Sequence, residues 1–198
     1  RNLSSEEITD QILFWKNYLK NKKTQEQVTN IVYMGMGEPF LNYENVKDSI
    51  KRFTDESLFN IGDRNISVST SFPSSVNIEK FSKEFPQINI AISLHFADNK
   101  KRSIYMPINQ VANINEIQKF INKYLEINNR KIFLEYIMLD DINDNEYDAK
   151  KLIEFIKLIN KNYLIHVNLI KYNSTFKNFV PSKKEKIIKF NYFFFFTW

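Results

Sequence analysis

Residues 31–40 read IVYMGMGEPF, and the reading of this stretch decides the fold. The run from Thr29 to Met36 is short, apolar and β-branched, and it stops at glycine, which predicts a buried strand. Gly35 and Gly37 are two of only three glycines in 198 residues. Glycine adopts backbone angles closed to other residues and lets another group approach the main chain, so its use at a strand end is informative. Before this run, LSSEEITDQILFWKNYL (3–19) sets Ile8, Ile12, Trp15 and Leu19 at helical spacing, with Ser4 and Glu7 placed as a capping box. After it, NYENVKDSIKRF (42–53) puts Val46, Ile50 and Phe53 on one helical face.

The alternation continues to about residue 172. NISVSTS (65–71) alternates like a strand and Pro73 closes it; NIEKFSKEF (77–85) is a short helix ending before Pro86. INIAISLHF (88–96) is apolar enough for a strand covered on both faces, and NKKRSIYMPINQ (99–110) reads as a loop or irregular crossover. ANINEIQKFINKYL (112–125) carries the stripe Ile114, Ile117, Ile121 and Leu125. KIFLEYIML (131–139) is a strand, NDNEYDAKKLIEFIKLI (143–159) a helix and NYLIHVNLIKY (162–172) a last strand. Strands alternating with crossovers this long pair in parallel, giving an α/β architecture, either a barrel-like sheet or an open doubly wound one. The end, SKKEKIIKFNYFFFFTW (182–198), has no amphipathic pattern after Phe190 and reads as an aberrant tail.

Composition narrows the chemistry. Lys and Arg number 28 against 23 Asp and Glu, a net charge of +5 with a pI near 9.1, which suits a polyanion such as RNA without requiring one. The runs NKKR (99–102) and KKEK (183–186) are the candidate RNA contacts, and a solvated surface is the plainer reading of both. There is no cysteine, which excludes disulfides and thiolate-held metals or clusters within these residues, and only two histidines, His95 and His166. No apolar run has transmembrane length and no signal-peptide pattern opens the chain, so a cytoplasmic protein is expected. The chain begins at Arg1 rather than at methionine, and a missing upstream start is expected.

In parallel α/β folds ligands gather beyond the carboxyl ends of the strands. Those ends carry Gly35, Gly37 and Glu38; Ser69, Thr70 and Ser71; Ser93, Leu94 and His95; Glu135 to Asp140; and Tyr172 and Asn173. Singly each has a plainer reading: a tight turn for Gly-Met-Gly, a helix cap for Ser-Thr-Ser, a structural histidine for His95 and His166, and turn residues for Asp140 and Asp141. Together they form a rim suited to a zwitterion bearing an amine and hydroxyls, with Glu38 taking the ammonium. Neither phosphate-binding glycine pattern is present.

In this order YMGMGEPFLN (33–42), SVSTS (67–71), AISLH (91–95), RSIYMPIN (102–109), EYIMLDDIND (135–144) and VNLIKYN (167–173) resemble the landmarks of a known family. It is the radical S-adenosylmethionine methyltransferases that modify adenine C2 in 23S rRNA and tRNA, with their C8-modifying antibiotic-resistance relatives. The resemblance runs from residue 1 to about 173 and implies a partial (β/α) barrel of parallel strands with outer helices. It assigns S-adenosylmethionine binding to Gly37, Glu38, Ser69, Ser93, Leu94, His95 and Asn173. For the family it implies a 4Fe–4S cluster, an external electron donor and RNA substrates.

The departures are equally specific. The family's C-x3-C-x2-C cluster motif falls just before the RNL opening, and its methyl-carrying cysteine falls in a C-terminal tail. Neither has a counterpart in a chain without cysteine. Phe72 stands where the family usually has glycine, and Ser174 where it usually has proline. The expectation is a radical S-adenosylmethionine core over residues 1–180 with an aberrant or truncated tail at 181–198, inactive alone, with no catalytic residue and no metal ligand of its own. The rival readings are a radical enzyme of the same fold with another substrate, and a non-catalytic basic RNA-binding remnant.

Overall fold

The capping box at Ser4 forms as expected: Glu7 N donates to Ser4 Oγ at 3.2 Å and Ser4 N to Glu7 Oε2 at 2.9 Å. It starts α1 (Ser5–Asn21) in a computed structural model that describes residues 1–22, 25–175 and 178–197. The chain forms two units, Arg1–Thr70 with Val76–Ile90, and Ser71–Ser75 with Ala91–Trp198.

In the first unit α1 is followed by β1 (Ile31–Tyr33), α2 (Tyr43–Thr54), β2 (Ile66–Thr70) and α3 (Ser75–Glu84). β1 and β2 are parallel, with Ile31 beside Ile66, Val32 beside Ser67 and Tyr33 beside Val68. α2 buries the predicted Val46, Ile50 and Phe53, and its Ser49 Oγ lies 2.6 Å from the Tyr33 hydroxyl, so Tyr33 faces the helix. Strand alternation then turns Val32 the other way, and it is 56% exposed. The expected buried strand over 29–36 is therefore corrected to a three-residue strand covered on one face, because among the described residues of its unit β1 pairs with β2 alone. Trp15 also departs from its predicted buried stripe. It is 51% exposed and packs on Phe14 and Tyr18, 5.6 and 5.4 Å away between ring centroids, rather than into the core.

In the second unit β3 (Asn89–Ser93), β4 (Ile132–Met138) and β5 (Ile165–Lys171) are parallel from Ala91 onward. α5 (Ile114–Asn128) and α6 (Glu146–Lys157) supply the apolar cover, burying Ile117, Ile121 and Leu125 from the first and Leu152, Ile153 and Ile156 from the second. Gln118 Nε2 ties them by donating to Phe155 O at 3.0 Å. The segment expected as a loop at 99–110 is instead α4 (Asn99–Tyr105) followed by a short 3-10 turn, Pro107–Gln110. Asp98 caps α4 by accepting from Lys101 N at 2.8 Å. The tail forms α7 (Lys184–Thr197), whose Phe190 is buried against Tyr136 at 5.5 Å between ring centroids.

Phe72 has φ 68 and is fully buried, 5.4 Å from Phe120 between ring centroids. The family's glycine at this position thus coincides with a left-handed backbone that this chain asks of a phenylalanine. Phe72→Gly is expected to lower stability by about 2 kcal/mol. Losing a buried phenyl costs about 3–5 kcal/mol, and release of the strained backbone offsets about 1–2. Urea denaturation measures the difference.

Candidate functional site

In the first unit the glycines after β1 have φ 132 at Gly35 and 102 at Gly37, and a Cβ on either would touch nothing within 4 Å. Glycine is demanded here by backbone conformation, not by crowding. The turn delivers Glu38 to the start of a 3-10 turn, Pro39–Leu41. Its Oε1 accepts from Phe40 N at 3.2 Å and from Thr70 Oγ1 at 2.8 Å. Phe40 is itself buried against Phe81, at 5.4 Å between ring centroids, which fixes the turn from below. Glu38 is thus aimed by two donors, one from the strand end beside it. Ser69 lies next to Thr70 at the end of β2 and is buried. Thr70 was within the Ser-Thr-Ser signal, but its part in orienting Glu38 was not visible there.

In the second unit Ser93 ends β3, and Leu94 is fully buried, its N–H donating to Ile92 O at 2.8 Å and its carbonyl accepting from Phe96 N at 2.6 Å. His95 follows with φ 54. Its N–H donates to Glu135 O at 3.0 Å, its Nδ1 accepts from Ile137 N at 3.2 Å, and its carbonyl accepts from Asn143 Nδ2 at 2.8 Å. Burial, and after it the Arg102 charge, holds the imidazole down to about 4, so it is neutral at pH 7 with its proton on Nε2. Asn143, also fully buried, donates to Ile137 O and accepts from Leu139 N, both at 2.8 Å. It was read only as the start of the helix expected over 143–159, which begins instead at Glu146. Asn173 lies exposed just beyond β5.

Arg102, the first residue of RSIYMPIN, carries the second unit's strand ends. Its side chain is fully buried, and its donors reach Leu94 O (3.2 Å), Asn109 Oδ1 (2.8 Å), Ala112 O (3.5 Å), Ser71 O (3.0 Å) and Ser93 O (3.5 Å). Every acceptor is neutral. Burial lowers the guanidinium to about 10, still charged at neutral pH. Within NKKR this corrects the reading for Arg102, which is neither solvated nor available to RNA, while Lys101 is tied to Asp148 Oδ1 at 2.7 Å and Lys100 stays exposed. In KKEK, Lys186 Nζ lies 2.8 Å from Asp140, 2.5 Å from Asp141 and 3.7 Å from Asp144. Those three carboxylates gather within 4.8 Å of one another, and an ammonium already holds their centre. Among the described residues no helix is long and apolar enough to cross a membrane.

No family model matches the chain. It is 44% identical over 191 residues, 96% of its length, to a protein of Pseudothermotoga lettingae named probable dual-specificity RNA methyltransferase RlmN, of which it covers 52%. A protein of the same name from Oceanobacillus iheyensis is 40% identical over 192 residues, again 96% of this chain and 53% of the relative. Among solved structures, a radical SAM methyltransferase from Sphaerobacter thermophilus superposes with TM-score 0.89 and 31% identity, covering 98% of this chain and 55% of that one. A domain of the pyruvate-formate lyase-activating enzyme from Bacteroides vulgatus, at 15% identity and TM-score 0.62, shares the fold alone. The partial-barrel α/β fold is therefore as expected. The chain spans about half the length of the curated relatives it matches, and over that span it is similar to proteins named RNA methyltransferase RlmN and to a radical SAM methyltransferase of known structure.

Proposed function

We infer that this chain is the S-adenosylmethionine-binding part of an RNA methyltransferase that modifies adenine C2 of 23S rRNA and tRNA in the cytoplasm. The reading rests chiefly on Glu38, a carboxylate aimed by Phe40 N and Thr70 Oγ1 at the end of a glycine turn. A carboxylate oriented in this way accepts an ammonium through charge-assisted hydrogen bonds. Gly37 leaves the main chain open beside it, and Ser69 contributes a hydroxyl at the neighbouring strand end. In the second unit Ser93, neutral His95 and Asn173 supply donors and acceptors for a nucleoside, with buried Leu94 between Ser93 and His95 in sequence.

These donor types fit S-adenosylmethionine, which when bound supplies the methyl group. This chain's residues bind and orient it, and His95 stays a neutral donor at Nε2 at physiological pH. An iron–sulfur cluster does not fit: its thiolate ligands cannot come from a chain without cysteine. Neither it nor an electron donor is given a step on these residues, and the chain alone is expected not to transfer methyl. The basic-remnant alternative keeps only part of its two runs, because Arg102 and Lys186 are engaged within the protein while Lys100, Lys183 and Lys184 are exposed.

Calorimetric titration of S-adenosylmethionine tests the reading. Glu38→Gln keeps an acceptor for Phe40 N while removing the charge, and is expected to weaken binding about 10- to 100-fold. Equal affinities would remove Glu38 from the role.

A further inference from the structure

EYIMLDDIND begins with a carboxylate that the site above leaves unused. Tyr136 faces α7, so its neighbour Glu135 faces away from the helices. Strand register places Ser93, Glu135 and Asn168 side by side across β3, β4 and β5 on that face. One layer earlier, Ala91, Phe133 and His166 are likewise in register, with the Phe133 and His166 rings 5.3 Å apart edge to face. A polar row therefore lies on an apolar and aromatic floor.

Glu135 is only 6% exposed. Its Oε1 accepts from Asn168 Nδ2 at 2.9 Å, and among the described residues no cation contacts it. A carboxylate this enclosed usually has an Arg or Lys partner or metal, because burying an unpaired charge is costly. Here its neighbours in the row are a hydroxyl and an amide, groups that complement hydroxyls able both to donate and to accept.

We propose that Glu135, held by Asn168 and flanked by Ser93, takes the vicinal hydroxyls of a ribonucleoside's sugar. This deepens the proposed S-adenosylmethionine site and rests on that reading. The carboxylate accepts from both hydroxyls, as acidic residues do from ribose in dinucleotide-binding folds.

The test uses 5′-methylthioadenosine, which keeps the ribose and lacks the amino acid, and its 2′-deoxy analogue, titrated by calorimetry. Wild type is expected to prefer the hydroxylated compound about tenfold, and Glu135→Gln to bind both alike at the weaker affinity. A purely structural Glu135–Asn168 pair would alter melting but leave the preference intact, so an undiminished preference in Glu135→Gln overturns the proposal. So does the absence of any preference in wild type. Should Glu135→Gln fail to fold, Glu135→Asp decides by the same comparison. Glu38→Gln separates the two readings, since it should weaken S-adenosylmethionine and leave 5′-methylthioadenosine unchanged. If it leaves both unchanged while Glu135→Gln abolishes the preference, only the Glu38 assignment falls. No binding of either nucleoside to wild type overturns the Glu135 proposal as well.

Discussion

Arg102→Met is expected to lower the stability of the second unit by about 4 kcal/mol. The guanidinium is fully buried and joins the chain at Ser71, Ser93 and Leu94 to the turn at Asn109 and Ala112. Methionine fills much of the volume but leaves these oxygens without donors, and each buried acceptor so stranded costs about 1–3 kcal/mol. Relaxation recovers part of this, and removing an uncompensated buried charge recovers more, which holds the total well below the simple sum. Arg102→Lys is expected to fare little better. Its ammonium is a point charge with three donors and cannot span acceptors set out for a planar fork. Urea denaturation of the three proteins measures this, and a loss under 1 kcal/mol for Arg102→Met would show that the carbonyls do not depend on it.

The same residue shows where sequence reasoning stopped. The helices at 42–53 and 112–125 were legible because their stripes are long and periodic, and Ile50, Ile117, Ile121 and Leu125 are buried as read. The helix at Asn99–Tyr105 was not, because seven residues rich in charge show no stripe. What holds it is the burial of Arg102 at contacts up to 31 residues away in sequence, together with the cap from Asp98. Asp98 is of a residue type that caps helices but was not read as a cap, and the arginine's destination leaves no local pattern at all. The exposed face of β1 was hidden for a related reason: an apolar run does not say how many strands will flank it. In the candidate site, strand-end residues could be chosen by the general rule for parallel sheets. Thr70 and Asn143, which aim Glu38 and anchor His95, act through tertiary hydrogen bonds and carry no pattern of their own. Glu135 was within reach, since a lone acid inside the apolar run IFLEYIML marks the inner face of a strand once the alternation is followed.

Acidifying the protein from pH 7 to pH 5 is expected to cost about 2 kcal/mol through His95 alone. Its imidazole sits at about 4 in the folded chain against about 6.5 unfolded, because burial disfavours the cation and Arg102 repels it. Geometry agrees, since Nδ1 accepts the Ile137 N–H at 3.2 Å and a proton there would break that bond. Between those two values the unfolded chain binds a proton that the native chain refuses, so stability falls with pH from about 6.5 downward and the full loss of about 3 kcal/mol is reached near pH 4. Asp148 works the other way, because burial raises its carboxyl and so favours the fold as pH falls. The decisive quantity is therefore the difference between wild type and a variant without the imidazole. His95→Asn suits φ 54, since asparagine tolerates left-handed backbone, and it cannot titrate. Urea midpoints at pH 7, 6 and 5 should converge as the pH falls, with the variant nearly flat and the wild type declining. Parallel curves would mean that His95 is protonated as readily in the fold as out of it. The neutral Nε2 donor assigned to the nucleoside side of the site would then be a cation at the acidic end of the physiological range, and ligand affinity would shift with pH where a neutral donor predicts none.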